Sequence, residues 1–512
     1  MVKEQIKLSA LIRELKILSK IGSTDPVITG LSYDSRDVEP GHIFFAFDGV
    51  HTDGHLYINN ALDNGAAAVI HSRKLEEYKD SIVYILVDKT RPALSIIASV
   101  FYPSRELCII GVTGTDGKST TVWFIHQLLT FFNKTSGFIS TVNIASEKDI
   151  NKNPYRQSTP EAREIHEFLK NLKDSNVEFA VLEATSHGLS EKTARLKNVN
   201  FNVGVLTNVT HEHLEFHGSL KQYRNDKANL FRWIGKQSGN YSNFGVVNKD
   251  DPNWELFKKS CNHPVYTYSM EDTGADLYAD SIKQEENGCS LRLVLKNNNL
   301  QKEEINVFFP IQGLFNVYNL MAAVLTICKL LNNPLVSFTS YIKKIKGVRG
   351  RMEVIDEGQP FKVIVDYAHT PKSFEKIFPY IKECAEKRLI SVFGSAGERD
   401  IEKRAVQGEI ASNYSDIVII TDEDPRGEDR MKIIKDIASG CRNRELFKDL
   451  FLIPDRRKAI KYALEIAESG DTVLCLGKGH EESIIYEKSS IPWNEIEVAR
   501  ELLKTLKNIK NN

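Results

Sequence analysis

The chain is predicted to fold as an α/β protein in about three units, and three observations carry that prediction. Short, nearly continuous apolar runs end in polar residues, as in "VEFAVLEATS" and "FNVGVLTNV". That is the pattern of parallel strands buried on both faces. Helical patterns separate such runs. A glycine-rich loop, "GTDGKST" at residues 114–120, joins a strand-like run, "LCII", to a helix-like one, "VWFIHQLL". The 512 residues, 41% hydrophobic and 26% charged, are enough for a core in each unit.

The first unit spans residues 1–105. It carries "YDSRDVEPGHIFFAFDG", then a helix-like stretch that stops at a glycine and leads into the strand "AAAVIHS". The second unit, 106–345, opens with the strand "ELCIIGV" and the helix after Lys118. Residues 243–310 are turn-rich, and the alternation in "ADLYADSIKQEENGCSLRLVLKNNN" predicts an antiparallel insertion. "FNVYNLMAAVLTICKLL" reads as a helix. The glycines and basic residues of "KKIKGVRGRMEVID" mark the next boundary. The third unit, 346–512, repeats a strand-then-loop pattern four times: "FKVIVDYAHTP", "RLISVFGSAGERD", "SDIVIITDEDPRGED" and "DTVLCLGKGHEES". Ligands of such sheets gather at the carboxyl ends of the strands.

Bulk properties exclude several classes. Lys+Arg 67 against Asp+Glu 68 gives a net charge of -1, which offers no footprint for nucleic acid or an anionic membrane. The 7 cysteines are scattered and show no CxxC spacing, so they read as small buried hydrophobes in a reducing compartment. The N-terminus lacks the apolar core of a signal peptide, and no apolar run approaches the length of a membrane span. A cytoplasmic protein is expected.

The loop at 114–120 has the parts of a phosphate cradle. Glycines let the backbone approach, helix N–H groups point at the anion, and Lys118 neutralises charge. The strict P-loop expression fails, because its first glycine falls on Val112, and a plain strand-to-helix turn with a solvated lysine is the alternative. Strand ends nearby carry Glu183 in "LEATSHGL" and His213 in "NVTHEHLEFHG", with Lys227 close behind in "YRNDKANLF". A carboxylate and an imidazole with Ser119 suit the shell of a divalent cation on a polyphosphate. Singly, each has a plain alternative: a solvated acid, a structural histidine, an exposed helix lysine.

In combination these motifs resemble the Mur ligases, within them the ATP-dependent branch that adds the third amino acid to UDP-N-acetylmuramoyl-L-alanyl-D-glutamate. "GTDGKST", "STPE", "LEATSHGL", "HEHLEFHG…YRNDK", "GLFNVYN", "GRME", "DYAHTP", "DEDPR" and "GKGHE" occur in the family's order over nearly the whole chain. The resemblance implies an N-terminal uridine-nucleotide domain, a central P-loop ATPase domain and a C-terminal Rossmann-like domain for the incoming amino acid. It implies a monomer acting on small molecules with ATP and Mg2+, through an acyl phosphate. Gly114, Thr115, Asp116, Gly117, Lys118, Ser119 and Thr120 would wrap the phosphates, with Asn316 and Asp366 at adenosine and Arg351 near the phosphates. Ser119, Glu183, His213 and Lys227 would hold the metal, Lys227 as a carbamate, and Lys118, Glu183, His213 and Lys227 would be catalytic. Ser35, Ser158, Thr159, Thr185 and Arg195 match contacts to the UDP-muramoyl dipeptide.

Arg399, Glu423, Asp424, Pro425, Arg426, Gly477 and Glu481 match the amino-acid pocket. The chain departs from its relatives at Asp116, where asparagine is usual, and in two extra residues after "SHGL". It also has Glu423-Asp424 where diaminopimelate-adding relatives commonly read Asp-Asn. Two added acids favour a side chain ending in a bare ammonium, lysine or ornithine, since an unpaired carboxylate would repel diaminopimelate's own. The alternative is that Asp424 faces solvent or caps the next helix, leaving Arg426 to bind diaminopimelate. The rival readings are another Mur-type amide ligase, such as folylpolyglutamate synthetase, and a nucleotide switch without ligase chemistry.

Overall fold

The computed structural model describes residues 6–49, 52–146, 149–155, 157–210, 214–235, 241–285, 287–296 and 302–510. The chain divides into two compact units. One holds Met1–Lys283, Cys289–Pro310 and Leu314–Ile345; the other holds Gln284–Gly288, Ile311–Gly313 and Lys346–Asn512.

Two large sheets build the first unit, beside a two-stranded pair of Ile6–Lys7 with Val27–Ile28. The N-terminal one has five strands in the order Ile17–Ile21, Val83–Val87, Ala68–His71, His42–Phe45, Gly30–Ser32, parallel except at the first pair. The helix Thr90–Phe101 buries Ala93, Leu94, Ile97, Ala98 and Phe101 against Ile43, Phe45, Ile70 and Ile85. The spacing of those helix residues is the one-faced stripe of an amphipathic helix.

The larger sheet has eleven strands, and Cys108–Thr113 lies between Phe179–Glu183 and Val203–Leu206, parallel to both. All three bury every residue, which is why their sequences run apolar without alternation. The turn-rich stretch has the expected antiparallel pairing, Gly288–Lys296 with Lys302–Phe309, but at the edge of the same sheet and not as an insertion of its own. Phe244–Asn248 and Val265–Ser269 extend the parallel sheet, and Leu277–Glu285, Gly288–Lys296 and Lys302–Phe309 continue it to the edge. Only the last strands alternate buried and open positions.

The helix Leu314–Leu331 corrects another expectation. Its 18 residues are long and apolar enough to cross a membrane by length and composition. Most of them are buried inside the unit, against the helix Lys118–Phe131, so the helix is apolar all round because it is a core helix.

The second unit is a six-stranded sheet in the order Glu353–Val354, Lys362–Asp366, Thr472–Leu476, Leu389–Phe393, Ile417–Ile420, Leu450–Leu452, parallel except for the first pair. The four strand-then-loop motifs supply its inner strands. The outer strand Leu450–Leu452 is too short to leave a pattern in the sequence. No disulfide joins any of the seven cysteines, and Cys108, Cys289, Cys328, Cys441 and Cys475 are buried.

Candidate functional site

The phosphate-loop candidate leaves the strand Cys108–Thr113 and enters the helix Lys118–Phe131. Gly114 and Gly117 have φ of 155° and 79°, open to glycine and costly for other residues. Space enforces both. A Cβ at Gly114 would lie 1.8 Å from Thr207 Oγ1, and one at Gly117 would lie 2.2 Å from Asn319 Oδ1. The loop is held from below by Thr115 N–H donating to Asn208 O (2.8 Å), Asp116 N–H to Asn208 Oδ1 (3.1 Å) and Thr207 Oγ1 to Asp116 O (2.6 Å). Lys118 Nζ folds back onto Thr115 O at 2.7 Å, at the start of the helix. Thr120 follows in the same first turn. Asn316 accepts from Asn319 Nδ2 at 3.3 Å, and Asn319 Oδ1 accepts from Thr121 Oγ1 at 3.3 Å. That chain of contacts ties Asn316 to the helix that the loop starts.

Glu183 ends the neighbouring strand and is not a solvated acid: it is 3% exposed. Its Oε2 accepts from Ser119 Oγ (2.7 Å) and from Thr141 N–H (2.8 Å), and its Oε1 accepts from Thr141 Oγ1 (2.8 Å). Ser119 and Glu183 therefore present adjoining oxygen ligands at the mouth of the loop, a donor set that suits Mg2+. Lys227 lies on the helix Leu220–Arg232 and is 1% exposed, so it is no surface helix lysine. Its Nζ donates to Gly114 O at 2.6 Å and sits 4.5 Å from the centroid of the Tyr223 ring. Tyr223 Oη is 3.0 Å from Thr115 Oγ1. His213 lies outside the described residues.

Three of the dipeptide-contact candidates come together. Thr159 Oγ1 donates to Glu183 O (2.9 Å) and accepts from Thr185 Oγ1 (2.9 Å). Arg195 donates to Thr159 O (3.0 Å) and to Glu161 Oε1 (2.8 Å), and Thr185 Oγ1 caps the short helix Ser186–Leu189. Ser158 is half-buried beside Thr159. Ser35 stands apart on the N-terminal sheet, in the turn Ser35–Asp37, where its carbonyl accepts from Asn64 Nδ2 at 2.9 Å.

In the second unit Asp366 ends the strand Lys362–Asp366 and accepts N–H groups from Met352 (2.8 Å) and Ala368 (2.7 Å). Burial pushes its carboxyl up, and the neighbouring Arg351 charge opposes that shift. The Arg351 guanidinium lies 4.6 Å from the centroid of the Tyr367 ring. Gly350 sits tight against the Gly479–His480 backbone, with only 2.3 Å between a Cβ there and His480 N.

The amino-acid candidates form around the strand ends at Ile420 and Leu476. Asp424 neither faces solvent nor caps a helix, since Asp429 caps Arg430–Ala438. Nor is Asp424 unpaired: its Oδ1 accepts from Lys478 Nζ (2.8 Å) and from Ile485 N–H (2.9 Å). Lys478, buried, also donates to Glu481 Oε2 at 2.5 Å. The unpartnered acid is Glu423, buried with Oε2 lacking a hydrogen bond and facing Gly477. Burial pushes its carboxyl up, with the charges of Lys403, Lys478 and Arg456 opposing. Pro425 O packs against Gly397, and Gly397 N–H donates to Asp424 O at 2.8 Å. Arg426, at φ 54°, donates its N–H to Ile485 O (2.9 Å) and carries a buried Nε without a partner. Arg399 stays exposed.

Sequence reasoning missed Thr141, Asn208, Tyr223 and Lys478. Thr141 follows the apolar strand Ser136–Ile139 as a strand-end polar residue, the same signal that marks Glu183. Lys478 stands between two glycines after a buried strand, where a long side chain turns inward.

Comparison with known proteins gives matches along the chain. Residues 27–102 match the Mur ligase family, catalytic domain; 112–327 the Mur ligase middle domain; and 350–479 the Mur ligase, glutamate ligase domain. The UDP-N-acetylmuramyl-tripeptide synthetase of Borreliella afzelii is 46% identical over 494 residues, 96% of each chain. The UDP-N-acetylmuramoyl-L-alanyl-D-glutamate–2,6-diaminopimelate ligase of Syntrophomonas wolfei is 36% identical over 502 residues, 98% of this chain and 99% of its own. A solved structure of a UDP-N-acetylmuramoyl-L-alanyl-D-glutamate–2,6-diaminopimelate ligase superposes with a TM-score of 0.67 at 28% identity, covering 98% of this chain and 100% of its own.

Proposed function

The chain belongs to the Mur ligase family, and on that premise we propose that it is an ATP-dependent amide ligase of peptidoglycan synthesis, joining a third, diamino, amino acid to UDP-N-acetylmuramoyl-L-alanyl-D-glutamate. The observation that carries this reading is the junction of Ser119, Glu183 and buried Lys227 around one glycine loop. A nucleotide switch has no need of it. In this reading residues 1–105 bind the uridine nucleotide, 106–345 bind ATP and 346–512 bind the amino acid. The three matched spans fall one within each. The substrates are small molecules, the working unit is a single chain, and cysteines without disulfides suit the cytoplasm.

A carboxylate is a poor electrophile, so the reaction begins by giving it a leaving group. The glutamate carboxylate oxygen attacks the γ-phosphorus, the bond to the bridging oxygen of ADP breaks, and an acyl phosphate forms. The amine of the incoming amino acid then adds to the acyl carbon, and the tetrahedral intermediate expels phosphate. Lys118 and the loop N–H groups of 114–120 hold the phosphates and stabilise charge that builds on them. Thr159, Thr185 and Arg195 orient the glutamate. Asn316, Arg351 and Asp366 hold the nucleotide. Ser119, Glu183, His213 and carbamylated Lys227 would hold Mg2+, which when bound neutralises phosphate oxygens. A carbamate nitrogen keeps one hydrogen, so the Nζ–Gly114 O bond fits the modified lysine as well as the free amine.

For the amino acid we propose lysine or ornithine over diaminopimelate. Lys478 takes up Asp424 and Glu481, which leaves buried Glu423 with an open oxygen for a distal ammonium. ADP release measured with the dipeptide precursor and lysine, ornithine or meso-diaminopimelate separately tests this. Preference for diaminopimelate overturns the specificity and leaves the ligase reading standing.

A further inference from the structure

Two loops make the proposed amino-acid pocket, one after the strand Ile417–Ile420 and one after Thr472–Leu476. These strands are not neighbours. Leu389–Phe393 lies between them, so their axes are about 10 Å apart and no ladder hydrogen bond joins their ends. At the strand ends the Arg456 side chain spans the gap. Arg456, in the first turn of the helix Arg456–Ile466, donates from Nη1 to Asp422 O (2.9 Å) and from Nη2 to Leu476 O (2.7 Å). Asp422 is the residue before Glu423, and Leu476 is the residue before Gly477.

The guanidinium is itself fixed. Its Nε donates to Glu495 Oε2 (2.9 Å) and its Nη2 to Glu495 Oε1 (2.5 Å), while Trp493 Nε1 holds Glu495 Oε2 at 2.7 Å. Both members of the pair are fully buried. A buried ion pair is a poor source of stability, because desolvation offsets its attraction. What a planar fork supplies is geometry: two donors at a fixed separation, which a lysine ammonium cannot reproduce.

We propose that Arg456 is a positioning residue for amino-acid selection, a clamp that sets the spacing between the Glu423–Arg426 loop and the Gly477–Glu481 loop. The proposal rests on the reading of these loops as the amino-acid pocket. Lys478 with Asp424 forms a second tie farther out, between side chains. Arg456 acts one residue back, on the backbone from which both loops spring. Its charge also faces Glu423 and favours the ionised form that an ammonium ligand needs.

The test uses the full chain with Arg456→Lys and Glu495→Gln, amide hydrogen exchange, and steady-state KM for each substrate. In Arg456→Lys, exchange rises about tenfold or more in 422–427 and 476–482 together, and is unchanged in Leu389–Phe393. KM for the amino acid rises about tenfold or more, while KM for ATP and for the dipeptide precursor stays within about twofold. Unchanged exchange in both loops overturns the proposal, and so does a parallel rise in all three KM values, the mark of a merely structural role. Should Arg456→Lys fail to fold, Glu495→Gln keeps the fork but loosens its hold. It gives the same split at smaller amplitude, and a uniform change across the three substrates overturns the proposal. If the wild-type protein releases no ADP with any amino acid, the functional reading falls, and the exchange arm still decides the clamp.

Discussion

Replacing Glu183 by glutamine separates what that residue does for the fold from what it does for the chemistry. The carboxylate accepts three hydrogen bonds, from Ser119 Oγ, Thr141 N–H and Thr141 Oγ1. A glutamine turned so that its oxygen meets Thr141 N–H keeps two acceptor contacts, and its NH2 can donate to Thr141 Oγ1. The shape is kept and only the charge assistance is lost, about 1 kcal/mol for each of three bonds. The amide is cheaper to bury than a carboxylate, which returns part of that cost. The net change in stability is then about 0–2 kcal/mol, a Tm shift of a few degrees. Turnover behaves differently, because the anion proposed to act at the phosphates is gone: kcat/KM should fall about a thousandfold, or ~4 kcal/mol of transition-state stabilisation. A coupled assay for ADP release, run beside a thermal melt and a Mg2+ titration, reads both quantities. Activity above about a tenth of wild type in a folded Glu183→Gln protein would refute the assignment of Glu183 to the phosphate chemistry.

Three further outcomes are expected. Lys227→Ala binds both nucleotides but loses nearly all turnover, with partial recovery on adding a short carboxylic acid; ordinary activity without additive counts against the carbamate. Glu423→Gln raises KM for the amino acid and stabilises the protein above the ordinary carboxylate range. The sign follows from the raised carboxyl: wild-type stability falls as pH rises from the unfolded pKa to the folded one, so the variant's advantage in melting temperature grows over that window and is flat above it. An advantage that shrinks as pH rises contradicts the burial of an unpartnered acid. His126 and His166 are pushed down from 6.5 to about 4 by burial, so both are neutral in the fold. Stability should therefore be lost as pH falls from 6.5 towards 4, at up to about 1.4 kcal/mol per pH unit for each, and His166→Gln should flatten that slope in denaturant titrations.

The sequence is most legible where one strand meets one loop. The parallel strands announce themselves because they are buried on both faces, and Gly114, Lys118 and Glu183 stand at their ends. What escapes is contact between loops distant in sequence. Asp424 reads as an unpaired charge until the fold places Lys478 beside it, 54 residues away. Arg456 carries no motif, since its partners are main-chain carbonyls and one acid 39 residues on. The strand Leu450–Leu452 has too few residues for a period, and the helix Leu314–Leu331 is uniformly apolar, so its place in the core comes from packing and not from pattern.

ATP cleavage by a ligase of this family is coupled to joining a carboxylate and an amine. That coupling is read as ADP formed per product formed, with ATP, Mg2+, UDP-N-acetylmuramoyl-L-alanyl-D-glutamate and lysine, each omitted in turn. One ADP is expected for each tripeptide product, with sustained release only when both the precursor and the amino acid are present. Sustained ADP release without the precursor, or release with both present but no new amide bond by mass, would contradict it.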